Sequence, residues 1–173
     1  MDSFVAIAEG FVRDSFFPEE NLVLANSMGN TRFIKGKDLP SPEEIAFNLP
    51  GMDAYVTAWG SPRLDETLLQ KADSLRLLVH LCGTVVPFVS DAMWDRGIRV
   101  ISGNDYFAES VAEGVVAYLL TALRDIPRHL SDLKEKHLWK PAPASNEGLL
   151  DKTVGLVSYG TVAKHTARLL HAF

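Results

Sequence analysis

The run Leu75-Arg76-Leu77-Leu78-Val79-His80-Leu81, closed by Cys82-Gly83-Thr84, decides the fold class. It is nearly continuous in apolar residues, as a strand is when both faces of its sheet are covered, and such strands belong to parallel sheets. Just before it, Asp65 to Asp73 reads as a short helix with Leu64, Leu68, Leu69 and Ala72 on its inner side. Earlier still, Ala54-Tyr55-Val56-Thr57-Ala58-Trp59 is a strand stopped by Gly60-Ser61-Pro62. On the other side, Ser90 caps a helix through Met93 and Trp94, Gly97 ends it, and Ile98 to Ile101 is the next strand. Phe4 to Ala8 gives a first strand, and Pro18-Glu19-Glu20 opens a helix through Leu22 and Leu24 with proline at its first position. Thr31 to Ile34 is a weaker strand, and Ser41-Pro42-Glu43-Glu44 is a capping box. Strands alternating with helices imply right-handed crossovers, a parallel sheet and an α/β fold. Ligands of such sheets gather at the carboxyl ends of the strands.

The period changes after Ser102. One long helix is expected from Asp105 to Ile126, with Val111, Val115, Leu119, Ala122 and Ile126 in one stripe, widened by Ala112, Val116, Leu120 and Leu123. An arc that broad belongs between two packed surfaces. Pro127 kinks or stops the helix, Arg128 to Trp139 is more polar, and Lys140 to Asn146 is a loop by composition. Thr153-Val154-Gly155-Leu156-Val157 then reads as a strand, followed by Ser158-Tyr159-Gly160-Thr161-Val162-Ala163 and a helix to Phe173. This is a degenerate G-x-G-x-x-G/A with Ser158 where the first glycine would stand. Its physics is a tight turn, close backbone approach to a pyrophosphate near Gly160, and N–H groups aimed by a helix N-terminus. Serine at the first position tolerates the turn only with negative φ or at some strain. The same turn also serves simply to pack a helix on a strand.

Composition narrows the function classes. The 173 residues carry 17 Lys and Arg against 22 Asp and Glu, a formal net charge of −5, with 47% hydrophobic and 23% charged residues. No basic stripe is present to hold nucleic acid or an anionic membrane. A single cysteine, Cys82, excludes an intrachain disulfide and fits a reducing compartment. Asp2 and Glu9 stand where a secretory signal would be basic, and the longest uncharged apolar stretch, Gly114 to Leu123, is short for a membrane span. The expectation is a soluble, cytoplasmic chain.

Three segments together, Val79 to Val85, Ser102 to Glu113 and Gly155 to Gly160, resemble the D-isomer-specific 2-hydroxyacid dehydrogenase family, phosphoglycerate dehydrogenase-like, over its N-terminal portion. The run Ser110-Val111-Ala112-Glu113, 45 residues before Gly155, is the most specific part, and Trp94 to Val100 fits the family's approach to the long helix. The resemblance covers roughly Ala54 to Phe173. It implies a flavodoxin-like substrate domain over residues 1–104, then over residues 105–173 a long interface helix and the truncated start of a Rossmann NAD-binding domain. It further implies an oxidoreductase that moves a hydride between NAD(H) and a 2-hydroxy or 2-keto acid, with NADP left open. A homodimer through the 105–126 helix is implied as well. Backbone N–H groups of Cys82, Gly83 and Thr84 would bind the substrate carboxylate, and Ser158, Tyr159, Gly160, Thr161 and Val162 the cofactor.

The chain departs from the family pattern in three places. The substrate loop reads Gly83-Thr84-Val85-Val86-Pro87 rather than Gly-x-Gly-x-Asp, and Phe107 stands where many members have a small or polar residue. The family's catalytic Arg, Glu and His, and its ribose-reading acid, lie beyond the glycine turn, and 13 residues follow Gly160. Residues 1–173 are therefore expected to be inactive alone. They are also expected to be marginal or self-associating, because the last helix presents Val162, Ala163, Ala167, Leu169, Leu170 and Phe173. A non-catalytic remnant that only dimerises or binds a partner is the alternative. Of the other candidates, His80 reads as a satisfied structural histidine and Cys82 as a small residue packed beside Gly83. His129, His137, His165 and His171 read as surface, and Asp132, Glu135, Glu109 and Glu113 as solvated faces or helix-terminus charges rather than an acid–base pair. No Cys/His spacing suggests a metal site.

Overall fold

The computed structural model of the chain describes residues 1–139 and 146–173; of the loop read over Lys140 to Asn146, all but Asn146 lies outside the described residues. The chain divides into two compact units, Met1–Asn104 and Asp105–Phe173.

The first unit is built on five parallel strands: β1 (Ser3–Val5), β2 (Thr31–Phe33), β3 (Ala54–Thr57), β4 (Leu77–His80) and β5 (Arg99–Ser102). Their order, β2-β1-β3-β4-β5, is the flavodoxin-like one. Burial follows position in the sheet. All four residues of central β3 are buried, whereas β2 and β5, at the edges, have none. Neighbouring residues along β1 and β3 enter different cores. Phe4 and Tyr55 join a cluster with Ile45, Leu49, Leu64, Leu69, Leu78 and Met93, and Val5 and Val56 join one with Ile7, Ala58 and Cys82. Both faces of the central strands are thus covered, which is why they read as unbroken apolar runs.

The connecting helices are α1 (Phe11–Phe16), α2 (Glu19–Met28), α3 (Pro42–Asn48), α4 (Glu66–Leu69) and α5 (Asp91–Asp95). The capping box on α3 is complete. Glu44 N–H donates to Ser41 Oγ at 3.2 Å and Ser41 N–H to Glu44 Oε2 at 2.8 Å. Pro18 stands at the cap of α2 rather than inside it. The helix read from Asp65 to Asp73 contracts to Glu66–Leu69, capped by Asp65. Ser90 occupies the cap of α5, but its hydroxyl donates to Leu64 O at 2.7 Å instead of accepting from the helix. Gly97, at φ +69, turns the chain out of α5. Helix α1, which follows Gly10 and buries no residue, has no apolar period to announce it.

The second unit holds α6 (Asn104–Leu123), α7 (Ile126–Glu135) and α8 (Thr161–Leu170). The helix read from Asp105 to Ile126 therefore stops early. Asp125 is left-handed at φ +50, and Pro127 sits in the first turn of the next helix. Only Ala108 and Ala112 of α6 are buried, and Val111, Tyr118 and Ile126 stay exposed. By length and composition α6 could cross a membrane, though Glu109 and Glu113 lie within it. A charge at the bilayer centre costs roughly 2.5–3.5 kcal/mol.

Two further expectations fail in this unit. Thr153–Val157 forms no strand, because no described strand offers its backbone a ladder, and Val157 is fully exposed. Asp132 is not solvated: its side chain is 4% exposed, 2.7 Å from Lys136 Nζ and 3.6 Å from Arg128 Nε. The Lys136 hydrogen bond, ahead of the other charge contacts, holds its carboxyl below the usual range.

Candidate functional site

Two places meet the chemistry read from the sequence, one in each unit. In the first unit it is the loop leaving β4. Its near stem is fixed by Leu81 N–H donating to Thr57 O at 2.9 Å and Gly103 N–H donating to His80 O at 2.8 Å. Its far stem is fixed by Leu64 N–H donating to Phe88 O at 3.1 Å, and Phe88 N–H closes a turn on Val85 O at 2.9 Å. Arg63 Nε adds a bond to Val89 O at 2.8 Å.

Between these stems Cys82 is fully buried, Gly83 half-buried and Thr84 exposed. Burial raises the Cys82 thiol pKa, with a backbone hydrogen bond from Trp59 opposing it, so the side chain is a packed thiol rather than a nucleophile. Among the described residues the N–H groups of Cys82, Gly83 and Thr84 donate to no protein acceptor. Unused donors at the carboxyl end of a parallel strand can receive an anion.

His80 is the satisfied buried histidine expected of its position. It is 1% exposed, its Nδ1 lies 3.0 Å from Thr57 Oγ1, and its ring stacks on Phe88 at 4.2 Å and 29°. Burial lowers its pKa.

In the second unit the turn before α8 carries Ser158, Tyr159, Gly160, Thr161 and Val162. Ser158 adopts φ +71, the left-handed conformation that a glycine would supply. Gly160 caps α8 with no side-chain hydrogen bond, and a Cβ built on it would meet nothing within 4 Å. Tyr159 is 62% exposed, and Thr161 and Val162 are half-buried in the first turn of α8. Open space before a helix N-terminus, reached by a glycine, fits a dinucleotide pyrophosphate.

One feature of this unit escaped the sequence reading. His165 Nε2 lies 3.3 Å from Asp105 Oδ1, and Arg168 bridges His165 Nδ1, at 3.2 Å, and Glu109 Oε1. These four side chains tie α8 to the start of α6, so His165 is a paired residue rather than a plain surface one. The spacing of Asp105 with Glu109 and of His165 with Arg168, each on one helical face, was the available signal. Among the described residues no cluster of His, Cys, Asp or Glu could hold a metal.

The chain is similar in sequence to curated D-3-phosphoglycerate dehydrogenases and glyoxylate/hydroxypyruvate reductases. It is 27% identical over 147 residues to the D-3-phosphoglycerate dehydrogenase of Mycobacterium tuberculosis, covering 85% of this chain and 28% of that one. Over 116 residues it is 33% identical to the mouse (Mus musculus) glyoxylate reductase/hydroxypyruvate reductase, covering 65% and 35%. Among solved structures, an acyclic imino acid reductase in complex with NADPH and D-Arg matches with a TM-score of 0.77 and 21% identity, over 99% of this chain and 53% of that one. This chain thus spans about a quarter to a half of the proteins it matches. No family model matches it.

Proposed function

We propose that residues 1–173 supply the substrate half-site and the opening of the cofactor site of an NAD(P)-dependent 2-hydroxyacid dehydrogenase. What carries the reading is the set of unused N–H groups on Cys82, Gly83 and Thr84, at the end of β4 in a flavodoxin-like sheet. There the loop holds the carboxylate of a small 2-hydroxy or 2-keto acid; Cys82 is buried as a whole residue, so Gly83 and Thr84 present the accessible N–H groups. The Ser158–Val162 turn holds the pyrophosphate, which neutralises the positive end of α8. NAD(P) when bound supplies the hydride acceptor or donor. The cytoplasm is the proposed compartment.

Residues 1–173 bind and orient, but among the described residues no histidine with a carboxylate partner stands beside the Cys82–Thr84 loop to exchange a proton with substrate. His80 is committed to Thr57, and His165 belongs to the α6–α8 network. NADH oxidation by these residues alone, with glyoxylate or hydroxypyruvate, is therefore expected to be undetectable. Turnover above the buffer rate refutes that part. Specific NADH binding that shifts the amides of Tyr159 to Val162 supports the cofactor assignment, and no shift there removes it.

A second reading, that the chain acts by self-association, draws on the exposed apolar residues of α6 and α7: Val111, Tyr118, Ile126, Leu130 and Leu133. A homodimer through residues 105–126 is compatible with both readings.

A further inference from the structure

We propose that His80 is the positioning residue of the substrate loop. The proposal rests on the reading of Cys82–Thr84 as the carboxylate site. It starts from one side chain that reaches both stems of that loop. His80 is the last residue of β4, directly before Leu81, and its ring stacks at 4.2 Å on Phe88, where the loop returns. The ring is therefore a strut across the base of the loop, and the N–H groups of residues 82–84 lie on the chain it spans.

The strut is held from the sheet. Thr57, at the end of β3, donates its hydroxyl to Val79 O at 3.4 Å and stands 3.0 Å from His80 Nδ1. With the hydroxyl proton used on Val79, Nδ1–H is the donor to Oγ1. The pair is buried, Thr57 at 0% and His80 at 1%, and Phe88 closes it at 7%. A hydrogen bond in such surroundings has no water to replace it, so it fixes the ring's orientation. The His80 carbonyl, accepting from Gly103 N–H, fixes the backbone at the same point. A histidine needed only to fill space would be replaceable by any ring of similar size; a positioning histidine is not.

The test uses the ¹⁵N-labelled chain of residues 1–173 and oxamate, a stable mimic of a 2-keto acid. In the wild type, oxamate is expected to shift the amides of Cys82, Gly83 and Thr84. His80→Phe keeps the stack and loses the hydrogen bond; it is expected to weaken oxamate binding about tenfold. The amides of residues 82–84 should move in this variant, whereas those of Phe4 and Val56 stay in place. Thr57→Val, which leaves the ring and its stack in place, is expected to reproduce the Phe variant with His80 intact. Wild-type affinity in His80→Phe overturns the positioning role and leaves the loop assignment standing. Wild-type affinity in Thr57→Val also overturns it, because packing alone then holds the ring. A wild type in which oxamate leaves residues 82–84 unmoved removes the loop assignment, and the role of His80 falls with it.

Discussion

A Cβ built on Gly103 would lie 2.5 Å from the carbonyl oxygen of Leu81 and 3.0 Å from its carbonyl carbon. The end of β5 and the root of the β4 loop are thus in contact through backbone alone, with no flexible side chain to give way. Gly103→Ala should destabilise the first unit by about 1–3 kcal/mol, the range for forced overpacking. Gly155→Ala, where nothing lies within 4 Å, is the control and should change stability by less than about 0.5 kcal/mol. Urea denaturation of both variants checks this, and an unchanged midpoint for Gly103→Ala refutes it.

Ser158 bears the strain that a glycine at the first position of the turn avoids. A left-handed residue with a Cβ costs roughly 1–2 kcal/mol, and the greater freedom of glycine in the unfolded chain offsets roughly 0.5–1 kcal/mol of the relief. Ser158→Gly is therefore expected to stabilise the second unit by roughly 0.5–1 kcal/mol. Hydrogen exchange of the α8 amides should slow accordingly; faster exchange contradicts the left-handed assignment.

Burial sets the pH response of the first unit. His80 has its folded pKa lowered by burial, so the unfolded chain takes up a proton first as pH falls below about 6.5. Stability is then lost on acidification, and at higher pH this term is absent. Tyr55 works at the other end. Its buried hydroxyl, 3.4 Å from Pro62 O, has a raised pKa because of desolvation, so stability falls as pH rises past about 10. Thermal midpoints of wild type and His80→Phe at pH 7.5 and 5.5 separate the histidine contribution: the acid-induced drop should shrink in the variant.

Self-association is testable on one helical face. Val111 and Tyr118, at 48% and 77% exposure, are two turns apart on α6. Val111→Glu with Tyr118→Glu should convert a dimer to a monomer in sedimentation velocity at unchanged helix content. A wild type that is monomeric at every concentration removes the interface.

Legibility in the sequence followed the number of partners an element finds within the described chain. The central strands read clearly because residues such as Tyr55, Val56 and Leu78 are enclosed on both faces, so burial and β-preference agree. Thr153–Val157 has the same apolar character and forms no strand, since a ladder requires a second backbone that local sequence does not provide. Asp132 misled for the opposite reason. Its neighbours Arg128 and Lys136, one turn away on either side, screen a carboxylate that composition marks as solvated. In the candidate site, Cys82 and Gly83 could be picked out as a small-residue loop, but the bond between His80 and Thr57 could not. It joins residues 23 apart in sequence, and only the parallel register of β3 with β4 brings them side by side.

The register of the sheet also bears on how the first unit comes into being. Strand β1 lies between β2 and β3, pairing Ser3 with Thr31 on one side and Ser3 with Ala54 on the other. No hairpin exists to start the sheet, and every ladder closes a large loop before it gains a bond. Strand β1 precedes both of its partners in the chain, so during synthesis its inner edge stays unpaired until Val56 has emerged. Through that interval the apolar residues Phe4 and Val5, enclosed in the folded sheet, are exposed to chaperones and to other nascent chains.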